Sequence, residues 1–193
     1  MTRFEHAYVL SIMADDHPGI VAAVTSAVDR LRGNIDSCSQ TVLKGYFTLI
    51  VLASFPVALD PSELAEAVRG PEAARTGFQV MARPFARALA GRAKAGVERF
   101  VVTAFGQDRP GIVLRFSQYL AGKDINIIDL YGDRTGEEFV LISQVEIPQR
   151  YDIGMLQADL EEMGNELGFT VRLQHENIFV ATNELRLTRQ AGQ

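Results

Sequence analysis

Tryptophan is absent, and cysteine occurs once, as Cys38, in a chain of 193 residues. A lone thiol excludes an intrachain disulfide and any cysteine-built metal cluster. No apolar run reaches the roughly 18–20 residues that span a bilayer. The opening residues, Met1-Thr2-Arg3-Phe4-Glu5-His6, include an acid and no apolar core. That pattern speaks against a signal peptide and for a cytoplasmic chain. Positive charge is also scarce: 19 Lys and Arg face 24 Asp and Glu, for a net charge of −5. Phosphate backbones repel such a chain, so direct nucleic-acid binding is not expected. Neither G-x-x-x-x-G-K-[ST] nor G-x-G-x-x-G occurs, which removes the nucleotide cradles. His6, His17 and His175 are scattered, and none sits in a nucleophile motif. Cys38 falls in a predicted strand, where a buried, small apolar role is expected. Asp15-Asp16-His17 makes a poor metal cluster, because adjacent side chains point in different directions. No catalytic residue, metal or cofactor is expected. What remains, 47% hydrophobic and 22% charged, is the balance of an ordinary globular protein.

The chain repeats itself. Residues 8–21 read YVLSIMADDHPGIV, and residues 100–113 read FVVTAFGQDRPGIV. Asp16 maps onto Asp108 and Gly19 onto Gly111, each pair 92 residues apart. The same offset carries Asn34-Ile35 to Asn126-Ile127, Phe47-Thr48-Leu49-Ile50 to Phe139-Val140-Leu141-Ile142, and Pro56 to Pro148. One register held without a gap over about 50 positions marks a fused duplication.

Within the first copy, residues 8–14 read as a buried strand. Pro18 suits the first turn of a following helix, since its missing N–H would have been unpaired there. Ile20, Val24, Ala27, Val28 and Leu31 form that helix's apolar stripe, and Gly33 is placed to end it in a left-handed conformation. Two strands, 34–43 and 46–55, follow around a Lys44-Gly45 turn. Asp60-Pro61-Ser62 opens a second helix, and Phe78-Gln79-Val80-Met81 reads as a last strand. In the second copy Ile112, Val113, Phe116 and Leu120 stripe the first helix, and Leu156, Leu160, Met163 and Leu167 the second. Gly168 closes that helix before a strand at 169–173. The predicted fold is α+β, two tandem ferredoxin-like βαββαβ units, each an antiparallel sheet with its helices on one face. The predicted domains are 1–84 and 98–176, joined by an Ala/Arg/Gly-rich linker at 85–97 and followed by an extension, 177–193. The basic residues in and around that linker, Arg83, Arg87, Arg92, Lys94 and Arg99, are read as a solvated connector. Asn177-Ile178-Phe179-Val180-Ala181 is read as a segment able to pair at a sheet edge, with fraying from about Gln190.

The most repeated feature is Asp-(His/Arg)-Pro-Gly-Ile-Val between strand and helix. Gly19 and Gly111 allow close approach of a ligand to the backbone, and a helix N-terminus offers unpaired N–H groups to a carboxylate. Asp16 and Asp108 can cap the helix or accept from an ammonium group. Asn34 and Asn126 offer donors and acceptors together. All of these residues can equally be read as building a turn and nothing more.

Asp15-Asp16-His17-Pro18-Gly19-Ile20-Val21 with Gly33-Asn34-Ile35, and Asp108-Arg109-Pro110-Gly111-Ile112-Val113 with Asn126-Ile127, resemble the ACT domain, a regulatory amino-acid-binding module. Two such domains and little else resemble the glycine cleavage system transcriptional repressor family. The resemblance implies a ligand held between the strand-helix loop of one domain and the start of the second strand of another. It thereby implicates Asp16, His17, Gly19, Ile20, Asn34 and Ile35 in one copy. In the other it implicates Asp108, Arg109, Gly111, Ile112, Asn126 and Ile127. It also implies a non-catalytic sensor of a small amino acid, glycine or serine first, acting through a protein partner such as a transcription factor, while the exposed sheet edges and the extra C-terminal segment favour a homodimer over a monomer. A dissociable regulatory subunit of an amino-acid enzyme and a ligand-free interaction scaffold are the alternatives. The copies differ at His17/Arg109 and Gly33/Ile125, so two equivalent sites are not implied.

Overall fold

Strand β1, His6–Asp15, alternates small and apolar residues so that Leu10, Ile12 and Ala14 point one way and are buried. Its Val9 and Met13 point the other way. The computed structural model describes residues 2–70, 77–86 and 96–181, which fall in two compact units, Met1–Arg92 and Ala93–Gln193. In the first, β1 is followed by α1 (Ile20–Arg30), β2 (Asn34–Leu43), β3 (Tyr46–Phe55), α2 (Pro61–Arg69) and β4 (Gln79–Pro84). The second repeats the order as β5 (Val97–Gln107), α3 (Ile112–Gly122), β6 (Asn126–Thr135), β7 (Glu138–Pro148), α4 (Ile153–Leu167) and β8 (Phe169–His175). The sheets run β2-β3-β1-β4 and β6-β7-β5-β8, antiparallel at every step. This is the expected βαββαβ fold, twice.

Each core lies between one sheet face and its two helices. Ile20, Val24, Ala27 and Val28 of α1 and Leu64, Ala65 and Val68 of α2 join the inward residues of β1, β3 and β4 in one cluster. The second core has the same plan, although Val113, expected in its helix stripe, is exposed. Tyr119 of α3 donates to the Asp159 carboxylate of α4 at 2.9 Å, and Lys123 meets the same carboxylate at 3.2 Å. Burial, reinforced by Asp159, pushes the Tyr119 phenol well above its ordinary value. The helix-free face of the first sheet exposes Met13, Ile50 and Met81, and a depression of about 340 Å³ on it is lined by Val9, Ser11, Ile50, Met81, Ala82 and Arg83.

Several expectations are corrected. Pro18 lies outside α1, because Gly19 is the N-cap. The left-handed residue after α1 is Arg32 (φ +56), and Gly33 is a glycine for another reason, the closeness of Phe55. Cys38 is exposed, because β2 is an edge strand and stands clear of the core from Ser37 onward. Both ends of the basic stretch are strand: Arg83 and Pro84 belong to β4, Val97 to Arg99 to β5, and the Phe85 N–H donates to the Ala7 carbonyl. Arg87, Arg92 and Lys94 lie outside the described residues. Residues 176–181 are helical, with Glu176 accepting from the Gln144 amide, so they add no strand to a sheet edge. The fraying expected from Gln190 concerns residues outside those described.

Candidate functional site

The duplicated loops are pinned at their starts. The Asp16 N–H donates to the Gly45 carbonyl of the β2–β3 turn at 2.8 Å, and the Asp108 N–H to Glu137 of the β6–β7 turn at 2.7 Å. Each loop then ends in a left-handed glycine that is itself the helix N-cap, Gly19 at φ +103 and Gly111 at φ +90. An L side chain is strained at such angles, while the space where its Cβ would stand is open. Crowding is therefore not what demands glycine.

No side chain caps α1 or α3, and neither has an acid in its first turn. The second helices of the two units contrast with them. Asp60 accepts from the Ser62 and Glu63 N–H groups at the start of α2, and Asp152 from the Met155 N–H at the start of α4. The chain thus caps α2 and α4 with aspartate and leaves the first-turn N–H groups of α1 and α3 open. Those groups, at the positive end of an eleven-residue helix, can receive an anion such as a carboxylate. Asp16 and Asp108, read as possible caps, cap nothing.

The two aspartates meet different surroundings. The Asp108 carboxylate pairs with the Arg134 guanidinium at 3.1 Å, and Gln107, Asp108, Arg134 and Glu137 line a polar depression of about 290 Å³. In the first unit Val42 holds the place of Arg134, and Asp16 has no ion pair among the described residues. Arg109 lies with its guanidinium 3.6 Å from where a Gly168 Cβ would stand, beside the end of α4. His17 hydrogen-bonds through Nδ1 with the Pro18 carbonyl at 3.0 Å. Its Nε2 is buried and takes no partner among the described residues. Ile20 and Ile112 are core residues, and Ile35 and Ile127 pack against the cores from their margins. Among the described residues no group of three His, Cys, Asp or Glu is arranged to hold a metal. No helix among them is long and apolar enough to cross a membrane.

Asn34 and Asn126 are not beside these loops. Asn34 pairs with Ser54, which pairs with Ala7 near the start of β1, while the Asp16 loop leaves the far end of that strand. Eight residues of β1 separate the two ends, which at roughly 3.3 Å per residue is about 26 Å. The same count separates Arg99, in line with Asn126, from Gln107 in the second unit. A small molecule cannot touch the loop and the asparagine of a single unit.

Asp36, which the sequence reading passed over, shares the Asn34 end. It is the extra residue at a β-bulge between Ile35 and Ser37. Its Oδ1 accepts from the Asn34 Nδ2 and the Arg3 N–H, both at 2.8 Å. The Phe4 N–H donates to the Ser54 hydroxyl at 3.1 Å, so the chain before β1 is held at the same place. Partial burial pushes the Asp36 carboxyl up, and its Oδ2 is buried without a hydrogen-bond partner among the described residues, but the nearby Ser54 hydroxyl and the Arg3 and Asn34 donors on Oδ1 outweigh this, and the group titrates below its ordinary 3.8. A depressed folded-state pKa contributes stability that is present above the unfolded value and lost as pH falls through the folded one. The Tm advantage of the wild type over Asp36→Asn is therefore expected to be full at pH 6, to begin to fall near about pH 4 and to be lost below the folded pKa. Melting both proteins from about pH 2 to 7 checks this, and a gap at about pH 2 as large as that at pH 6 would contradict it.

The sequence is matched by the ACT domain family model over residues 6–82 and 98–174. It is 40% identical over 84 residues to a UPF0237 protein of Methanocaldococcus jannaschii, and 37% identical over 84 to one of Methanococcus maripaludis. Each stretch covers 43% of this chain and 93% of the archaeal protein, so one repeat here corresponds to nearly all of each relative. Among solved structures, an unknown protein from Galdieria sulphuraria is similar at 26% identity and a TM-score of 0.71, covering 88% of this chain and 98% of that one. A protein provisionally described as a glycine cleavage system transcriptional repressor shares the fold at 17% identity and a TM-score of 0.59, covering 89% and 98%.

Proposed function

This chain belongs to the ACT domain family, and on that premise we propose that it is a non-catalytic regulatory protein that senses a small amino acid. The observation that carries this reading is the pair of uncapped helix N-termini behind Gly19 and Gly111, beside two helices that the same chain caps with Asp60 and Asp152. An open N-terminus takes the carboxylate of the ligand. A carboxylate or a carbonyl oxygen takes its ammonium group. Since Asp16 and Asn34 stand about 26 Å apart along one sheet, a ligand touching both kinds of group draws them from two units. The proposed ligand-binding residues are Asp16, His17, Gly19, Ile20, Asn34 and Ile35 of one repeat and Asp108, Arg109, Gly111, Ile112, Asn126 and Ile127 of the other.

Glycine and serine are the first ligands to test, and the regulated partner is a protein, such as a transcription factor, rather than DNA. Ligand size limits the affinity. At a ceiling of about −1.5 kcal/mol per heavy atom, glycine reaches roughly −7.5 kcal/mol, a micromolar Kd at best. The ligand shifts the protein's state only by its differential affinity for two arrangements.

The test is a thermal-shift screen of the purified protein against the twenty amino acids, with titration calorimetry on any hit. A hundredfold excess over Kd stabilises by about 2.7 kcal/mol, which raises Tm by roughly 5–10 °C for a chain of this size. Glycine or serine is expected to give that shift selectively. A flat screen up to tens of millimolar would replace the sensor with a scaffold that only binds protein.

A further inference from the structure

Asn34 stands at the start of β2 with its Nδ2 on Asp36. A carboxylate has no proton to give, so only the NH₂ end of an amide can face it. The Asn34 carbonyl oxygen is consequently turned away from Asp36, and the side chain makes no second hydrogen bond among the described residues. Asp36 is held in turn by the Arg3 N–H, so this orientation is fixed from both sides. The second unit has the same bulge, between Ile127 and Asp129, but its extra residue is Ile128. There Asp129, the first carboxylate after the bulge, accepts from its neighbour Leu130, Asp124 before it pairs with Arg150, and Asn126 is exposed with no carboxylate bonded to its amide among the described residues.

We propose that Asp36 is a positioning residue, which locks the Asn34 amide so that its carbonyl oxygen is presented to the ammonium group of the ligand and makes this half-site selective for amino acids over acids without the amine. The inference rests on the amino-acid-sensing reading above. Asp36 does not touch the ligand. Its effect is to remove the rotamer freedom that Asn34 would otherwise lose on binding, and to exclude the flipped amide, whose NH₂ repels an ammonium. Ordering one such side chain corresponds to roughly two- to tenfold in affinity, and the flipped population adds to that.

The experiment is calorimetric titration of glycine, L-serine and glycolate into the full chain as wild type, Asp36→Ala and Asp36→Asn, with a melting curve for each. Asparagine at 36 can still accept from the Asn34 NH₂ through its own carbonyl, so it keeps the orientation and loses only the charge. Asp36→Ala is expected to bind glycine or serine about five- to tenfold more weakly with glycolate unchanged, and Asp36→Asn to return to within about threefold of wild type. If Asp36→Ala fails to fold, the rescue by Asp36→Asn together with a slowly exchanging Asn34 side-chain amide in the ¹⁵N spectrum carries the test. Equal binding by wild type and Asp36→Ala, or equal loss in both variants, overturns the positioning role alone. Failure of the wild type to bind either glycine or serine overturns the sensor reading, and this inference with it.

Discussion

Replacing Gly106 by alanine is expected to destabilise the second unit by about 2–3 kcal/mol, and replacing it by valine to prevent that unit from folding. Gly106 lies in β5, paired on one side with Phe139 and on the other with Phe169. A Cβ there would stand 2.4 Å from the Gly168 carbonyl oxygen, 2.8 Å from the Phe169 ring and 2.9 Å from the Phe169 Cα. Two of those three obstacles are backbone. They cannot swing aside as a side-chain tip can. β5 is central and hydrogen-bonded along both edges, and Gly168 is the left-handed cap (φ +77) that turns α4 into β8. Relief therefore has to come from the α4–β8 corner or from the ladder, and each is costly. The corresponding residue in the first unit is Ala14, itself 3% exposed, so the fold accepts a methyl where that corner is built differently. Thermal and urea melts of Gly106→Ala should show a drop in Tm of roughly 10–20 °C. A drop under 2 °C would mean that the corner yields freely. The strand also feeds the Asp108 loop, so a relaxed β5 is expected to weaken any ligand held there.

How far the fold could be read follows from which determinants are local. The β2–β3 hairpin was legible to the residue, because a tight turn needs two residues at positive φ, and Lys44 (φ +51) and Gly45 (φ +89) supply them between two ten-residue strands. The α2 start was legible because Asp60-Pro61 carries its own cap. Cys38 was misplaced because its type speaks for burial, while its exposure is set by the edge position of β2, a property of the whole sheet order. Residues 177–181 were misread because five mostly apolar residues carry no period by which strand and helix differ.

The candidate site divides along the same line. Each loop was visible from its repetition, including the need for glycine at 19 and 111. The distance between loop and asparagine was not, since it depends on register across β1, β3 and β2. Asp36 and Arg134 act across the fold or through a bulge, on Arg3 and Asp108 respectively, and nothing in their immediate sequence announces those partners. The one available signal was Asn34-x-Asp36, two polar residues that a bulge turns toward each other.

Gly33 carries the second large effect: Gly33→Ile is expected to destabilise the first unit by about 3 kcal/mol or more, and Phe55→Ile in the same chain to restore most of it. A Cβ at Gly33 would lie 2.4 and 2.7 Å from two atoms of the Phe55 ring and 2.9 Å from the Val28 side chain. Phe55 is wholly buried and meets the Tyr8 ring edge-on at 5.9 Å, so it has nowhere to retreat. Tyr8 is anchored too, accepting from the Leu59 N–H at 2.8 Å and donating to the Leu59 carbonyl at 2.7 Å. The second unit fills this corner with different pieces: Ile125 stands for Gly33 and Ile147 for Phe55, 5% and 2% exposed. Backbone conformation does not distinguish the two solutions. The left-handed residue precedes the position in both units, Arg32 at φ +56 and Asp124 at φ +54, and the Gly33 and Ile125 N–H groups close onto Val28 and Leu120, each at 2.9 Å. What differs is how volume is divided between the helix exit and the end of β3. Phe55→Ile alone removes ring contacts and leaves a small cavity, at a cost of about 1–2 kcal/mol. If the two positions compensate, the double variant lies within about 1.5 kcal/mol of wild type, and the cycle shows a favourable coupling of about 2 kcal/mol or more. Urea melts of the four proteins decide it. Additive losses would mean that Tyr8 and Val28, not the Gly33–Phe55 pair, set the shape of the corner.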